Sequence, residues 1–310
     1  MRAIILGSSA GGGLPQWNCG CPHCNAARAG DGDVRARHQS SICVSADGER
    51  WVLINASPDV RSQLAATPEL WPRGTRGSPV RAVALTNADI DHAAGLLVLR
   101  EGGAPALYCT ARVEEALTDG LRILPALEAY GAVHVRRVEP GVATPVRDRD
   151  GVPTGVSLRA FTVASKPPPY MAGRHRDDPR GDLAGDTVGF AITADGQDEA
   201  LVYVPGVRDL DDALRAELCR ARCALIDGTF FTDDELVVMG ASLKTSRTMG
   251  HAPLTGPGGL VEFLDGVAGP RKVLIHINNS NPVLRDGGAA RAELAAHGID
   301  VSHDGMQLRW

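Results

Sequence analysis

Short apolar runs, each closed by glycine, proline or an acidic turn, recur along this chain, and their order constrains its fold more than any other feature. "RAIILGS" (2–8) reads as a strand entering a glycine-rich turn, and "SSICVSADGERWVLINAS" (40–57) as a hairpin turning at "ADGE". "VRAVALTNAD" (80–89) is a buried strand, and "ALYCTARVEEAL" (106–117) a strand entering a helix. "SLRAFTVASK", "TVGFAITADG" and "EALVYVPGV" continue the β pattern through residue 207. From there strands alternate with helices: "DDALRAELCRA" is helical, "CALIDGTFF" a strand, "GPGGLVEFLDGV" a helix, "KVLIHINN" a strand and "GGAARAELAAHG" a helix, before a closing strand in "DGMQLRW". Early hairpins followed by β/α alternation predict an α+β architecture of two sheets with helices on their outer faces. No domain boundary is visible, so 1–310 is expected to be a single domain.

A formal charge of −5 argues against a nucleic-acid binder held by phosphate contacts. The N-terminal apolar run is about four residues, short of a secretory segment, and no window approaches the ~18 apolar residues of a membrane span. A cytoplasmic protein is expected. Its seven cysteines are then read as metal ligands or buried thiols before disulfides.

"WNCGCPHCNAAR" sets Cys19, Cys21 and Cys24 within six residues. Three thiolates at that spacing can converge on one ion, and tetrahedral zinc with Zn–S of about 2.3 Å is the natural occupant. The expected role is structural, pinning a glycine-rich loop that has little apolar surface. His23, between the ligands, is expected to point away. The fourth ligand is open among His38, His276, Asn279 and another cysteine. Cys43, Cys109, Cys219 and Cys223 sit in strand or helix patterns and are expected to be buried thiols.

A second donor set is dispersed. Asp91 and His92 follow a strand, with Asp89 two residues earlier; His251 ("TMGHAPLTG") is expected just before a helix; His276 ends an apolar strand. Carboxylate and imidazole together suit Zn, Mn or Fe(II). His303 lies near a strand start, with Asp304 a carboxylate able to orient it. The stretch 166–186 is polar and rich in proline and glycine, the profile of either a functional lid or a solvated, disordered insertion. Its Lys166, Tyr170, Arg174 and Arg176 are expected to border the cleft and bind a carboxylate-bearing substrate.

"LTNADIDHAAGL" resembles the metal loop of the metallo-β-lactamase superfamily, and a similar Cys-x-Cys-x-x-Cys clamp occurs in its phosphodiesterase branch. With "SSAGGGLPQWNCGCPHC", "SKPPPYM", "LIDGTFF", "MGHAPLTG" and "LIHINNSNP", the chain resembles a pyrroloquinoline quinone (PQQ) biosynthesis family of that superfamily from Gly7 to Gly305. The resemblance implies an αββα sandwich of two mixed sheets. A two-metal hydrolase of the superfamily would place histidines where Asn87 and Asp89 stand, another near Ala164, Ser165 and Lys166, and a bridging carboxylate at Pro205–Gly206. What survives is one site of Asp91, His92, His251 and His276, with Asp89 as an extra. The resemblance further implies Fe(II) in that site, with zinc able to take its place in purified protein. The implied activity is O2-dependent hydroxylation of the tyrosine ring of a small, dipeptide-like Glu–Tyr-derived precursor. An older view of the family implies a soluble carrier moving the quinone or its precursor toward the periplasm. No membrane or nucleic-acid partner is expected, and the oligomeric state is open, a homodimer included.

Overall fold

The computed structural model describes residues 1–101, 105–131, 133–171 and 184–310. Fourteen strands are found among them: β1 Arg2–Gly7, β2 Ser41–Ser45, β3 Trp51–Ile54, β4 Val80–Ala84, β5 Ala106–Cys109, β6 Val135–Arg137, β7 Ala143–Arg147, β8 Pro153–Thr162, β9 Val188–Ala194, β10 Ala200–Val204, β11 Ala221–Asp227, β12 Arg271–Ile275, β13 Ile299–Val301 and β14 Gln307–Arg309. They form two seven-stranded sheets, ordered β14-β1-β2-β3-β4-β5-β6 and β13-β12-β11-β10-β9-β8-β7. Both are mixed: β14-β1-β2-β3 pair antiparallel and β3-β4-β5-β6 parallel, while β7-β8-β9-β10 pair antiparallel and β10-β11-β12-β13 parallel.

Three layers of apolar packing account for the continuous apolar runs, because both faces of each sheet are covered. Ala3 and Ile5 of β1 pack between the sheets with Ile54, Phe190, Leu201 and Leu225. Ile4 and Leu6, pointing the other way at period two, pack with Val60, Leu96, Val113 and Leu117 on the outer face of the first sheet. On the second sheet Val202, Ile226 and Leu274 meet Leu214 and Leu218 of the helix Asp212–Cys219 and Leu260 and Leu264 of the helix Leu260–Asp265. Each pair is spaced i, i+4, so one stripe of the helix faces the sheet. The expected αββα layering is therefore present. Among the described residues no helix is long and apolar enough to cross a membrane.

Two expectations change. Cys43, Cys109 and Cys223 are buried, but Cys219 is exposed, because Leu214 and Leu218 take the inward stripe of its helix. His251 does not precede a helix directly: it follows the 3-10 turn Arg247–Met249, whose end Gly250 makes at φ 93, and the next helix starts at Leu260.

Candidate metal centre

Strands β3 and β4 end at the same edge as β11 and β12, and the segments leaving their carboxyl ends build the cleft, the usual place for a ligand beside parallel strands. After β4 the chain runs extended to Asp89, then makes one helical turn, Ile90–Ala93, which carries Asp91 and His92. The turn is clamped to the loop after β3 by Ala56 N–H donating to the His92 carbonyl at 2.7 Å. Gly95 is needed for this approach, since a Cβ there would lie 2.2 Å from the Ser57 carbonyl oxygen. The glycine-rich loop passes over the other side: a Cβ on Gly11 would sit 3.2 Å from Asp91 Oδ2.

Asn87, at the first of the altered loop positions, orients a donor. Its Oδ1 accepts from His92 Nδ1 at 2.7 Å, and its Nδ2 donates to Asp89 Oδ2 at 2.9 Å. His92 is therefore the Nδ1–H tautomer. Its Nε2 is buried with no hydrogen-bond partner in the protein, although buried polar atoms are rarely left so. That atom lies 3.8 Å from Asp91 Oδ2, which in turn lies 3.3 Å from His276 Nε2. Donors held about 2.1 Å from one ion stand roughly 3–3.5 Å apart, so the three atoms fit a common metal after small adjustment. Burial, with the imidazoles of His276 and His251 close by, pushes the His92 pKa down to about 4, so the ring is neutral and its lone pair free. Burial opposes ionisation of Asp91, yet the imidazoles of His92 and His276 hold its carboxyl well below the usual range. Burial and the Asp91 charge raise Asp89 to about 7. Asp89 stands outside the donor clusters found among the described residues.

His276 follows β12 with φ 62, a left-handed backbone uncommon outside glycine, and this turns its ring into the cleft. His251 stacks on it at 5.3 Å. Behind them stands Asp227, a residue the sequence reading passed over. Its buried carboxylate accepts from Val207 N at 2.9 Å, Thr229 N at 3.0 Å, Thr229 Oγ1 at 2.6 Å and His251 Nδ1 at 2.7 Å. The available signal was an Asp ending an apolar run, since a buried charge is seldom left unpaired. With four hydrogen bonds Asp227 serves as an anchor, and His251 Nε2 is left free. At Gly206, where a bridging carboxylate was considered, only a hydrogen faces His251.

A depressed imidazole pKa ties stability to pH. The unfolded chain takes up a proton near pH 6.5 and native His92 only near pH 4, so native stability is lost as pH falls between those values. With its cleft free of metal, wild-type protein should lose about 3 kcal/mol more than His92→Gln between pH 6.5 and pH 4. Urea titrations check this, and equal losses in the two proteins refute it.

The cysteines converge as expected. Cys21 caps the helix Pro22–Ala29, its sulfur accepting from Cys24 N at 3.4 Å; Cys19 and Cys24 sulfurs accept from Cys21 N and Gln16 N at the same distance. Of the candidate fourth ligands the structure brings Asn279, whose side-chain Nδ2 lies 3.2, 3.7 and 3.3 Å from the sulfurs of Cys19, Cys21 and Cys24. Rotating that amide, whose O and N are assigned rather than observed, directs Oδ1 at the same point. His38 is engaged elsewhere, with Asp304 at 3.0 Å, and His276 belongs to the cleft. His23 Nδ1 turns to the Asn279 carbonyl at 3.1 Å. Asp304 does not orient a metal histidine: it accepts from Ser8 and His38 and ties the end of β1 to the following segment. His303 bonds the neighbouring Asp304 carbonyl.

Of the expected substrate residues, Lys166 is half-buried within electrostatic reach of Asp89 and Asp91, and burial lowers its pKa. Tyr170 donates its hydroxyl to the Ala88 carbonyl of the metal loop. Arg174 and Arg176 lie outside the described residues.

The family model described as "Beta-lactamase superfamily domain" matches residues 50–277. The chain is 47% identical to coenzyme PQQ synthesis protein B of Azoarcus sp. (strain BH72), over 99% of each chain. Its structure is similar to that of zinc-bound PqqB from Methylobacterium extorquens, with TM-score 0.90, 40% identity and 100% of each chain covered. A diphosphatase of the PhnP family, at TM-score 0.67 and 19% identity over 100% of this chain and 97% of that one, shares the fold.

Proposed function

This chain belongs to the coenzyme PQQ synthesis protein B family, within the β-lactamase superfamily, and from that premise we propose that it acts in PQQ biosynthesis as a mononuclear non-haem iron hydroxylase. Its substrate is the tyrosine ring of a Glu–Tyr-derived precursor, with O2 as co-substrate and 1–310 as one catalytic domain. The observation that carries this reading is His92 Nε2, buried, neutral and without a partner, facing one carboxylate and a second imidazole. Two histidines and a carboxylate with open positions are the donor set of non-haem Fe(II) oxygenases.

Asp91, His92 and His276 would hold the ion, with His251 beside them as a further donor. When bound, Fe(II) supplies the redox chemistry that activates O2, which zinc lacks. The chain's own residues do the rest. Asn87 holds His92 in its ligating tautomer, Tyr170 braces the loop that carries Asp91, and Gly11 brings the glycine-rich loop against that carboxylate without displacing it. Lys166 offers a charge to a precursor carboxylate, and Arg174 and Arg176 are assigned the same task. The cysteine triad with Asn279 would hold a structural zinc.

The test is anaerobic Fe(II) loading, then the cross-linked precursor, O2 and an external two-electron reductant such as ascorbate, because one oxygen atom enters the ring and the other leaves as water, followed by mass spectrometry. A product heavier by one oxygen supports the reading. Tight precursor binding with no product in iron-loaded protein refutes it and favours a carrier. Lys166→Ala should weaken precursor binding roughly 10–100-fold, as expected for one charge-assisted contact of about 1.5–3 kcal/mol, while cleft metal affinity does not fall, because the charge removed is a cation within reach of Asp89 and Asp91. Calorimetry with each ligand checks this, and an unchanged precursor Kd refutes the role.

A further inference from the structure

One hydroxyl touches both histidines of the second sheet. Thr229 Oγ1 lies 2.6 Å from Asp227 Oδ1, 2.8 Å from His276 Nδ1, 2.9 Å from the His276 carbonyl oxygen and 3.1 Å from His251 Nδ1. A hydroxyl has a single proton to donate and two lone pairs with which to accept. The ionised Asp227 carboxylate can only accept and makes the shortest contact, so it takes the larger share of that proton. Oγ1 then meets His276 Nδ1 as an acceptor, and Nδ1 must carry hydrogen. The lone pair of His276 is left on Nε2, the atom 3.3 Å from Asp91. The other oxygen of Asp227 accepts from His251 Nδ1 and leaves that ring in the same tautomer.

We propose that Thr229 is a positioning residue of the centre, its hydroxyl fixing the tautomer and orientation of His276 directly and those of His251 through Asp227. The inference rests on the reading that the cleft binds metal through His276 Nε2. His276 needs such a partner: its left-handed backbone places it beyond the regular ladder of β12. Thr229 is itself fixed. It is buried, its N–H donates to Asp227 Oδ1 at 3.0 Å, and its carbonyl accepts from Asn278 N at 3.0 Å and Asn281 Nδ2 at 3.3 Å. With Asn87 on the opposite side holding His92, each of the three imidazoles has a dedicated oxygen behind it and Nε2 in front.

A purely structural Thr229 would only shape the turn after β11, and three full-length proteins separate the two roles: wild type, Thr229→Val and Thr229→Ser. Valine keeps the shape and deletes the hydroxyl, whereas serine keeps the hydroxyl. In protein labelled with 15N-histidine and freed of cleft metal, long-range 1H–15N correlations report the tautomers. His276 should be Nδ1–H in wild type and Thr229→Ser, and mixed or Nε2–H in Thr229→Val. Cleft affinity for Co(II), read from its d–d absorption, should fall 10–100-fold in Thr229→Val, the usual cost of removing a group behind a ligand, and stay at the wild-type value in Thr229→Ser. Unchanged tautomers in Thr229→Val, or a serine variant that behaves like valine, would overturn the proposal. Should Thr229→Val lose its structural zinc and fold, Thr229→Ala takes its place in both measurements under the same criteria. A wild-type cleft that binds no Co(II) refutes the metal reading alone, and the tautomer measurement still decides Thr229.

Discussion

Replacing His92 by alanine should remove the cleft metal and with it turnover, while leaving the zinc of the cysteine cluster in place. Loss of a group behind a ligand costs 10–100-fold in affinity or activity, so loss of the ligand itself should cost on the order of 10³-fold or more. The substitution also takes from Asn87 Oδ1 the shorter of its two hydrogen bonds, leaving Asp89 N–H at 3.2 Å, and opens a cavity beneath the Ile90–Ala93 turn. Some loss of stability is therefore expected and must be separated from loss of metal. Asp89→Asn provides the comparison: Asp89 lies outside the donor clusters, so this change should be milder on both counts. Metal analysis after Fe(II) reconstitution, together with oxygen uptake in the presence of precursor, reads the outcome. Full iron-dependent activity in His92→Ala would place the reaction elsewhere.

Cys21→Ser should lower the melting temperature by roughly 10 °C and the zinc content by one ion. Structural zinc contributes ~10–16 kcal/mol in isolated zinc-finger peptides. A chain with three apolar layers depends on it less, and a loss of several kcal/mol corresponds to a shift of that size. The loss should spread to the cleft. Asn279, the candidate fourth donor, lies three residues after His276 in the same turn, so freeing it loosens one cleft ligand. Cleft affinity should therefore fall without vanishing. Calorimetric melting and zinc analysis decide this, and unchanged zinc stoichiometry would refute the assignment.

Much of this was legible in the chain because the signals are local. Period-two apolar runs mark both faces of strands such as β1, where Ala3 and Ile5 go inward and Ile4 and Leu6 outward. The cysteine triad announces itself within six residues. Asp91–His92 and His276 stand out as polar residues ending apolar strands, and they converge. What sequence could not supply was assigned by distant folding. Asn279 meets cysteines 255 or more positions away. Asp227 meets a histidine 24 positions on, and its role exists only once β11 and the segment around His251 lie side by side. Asn87 reads in sequence as a missing ligand. In space it is the partner of one, because the following helical turn brings His92 back over it.

Asp91 and His92 extend from β4 of the first sheet and His276 from β12 of the second, so an ion shared by them would rivet the two leaves of the sandwich at one edge. Between the sheets the leaves meet through side chains, which pack densely and pass displacement on rather than absorb it, and at this edge backbone bonds such as Val188 N to the Thr86 carbonyl at 2.8 Å join them as well. Ligand constellations tolerate about half an ångström of error. The gap between His276 and Asp91 thus works as a gauge of how the leaves are seated. A buried change between the sheets such as Phe190→Leu, at a residue that supplies no donor, should act on the centre by letting one leaf slide against the other, with its cost registered in metal affinity before it is seen as unfolding.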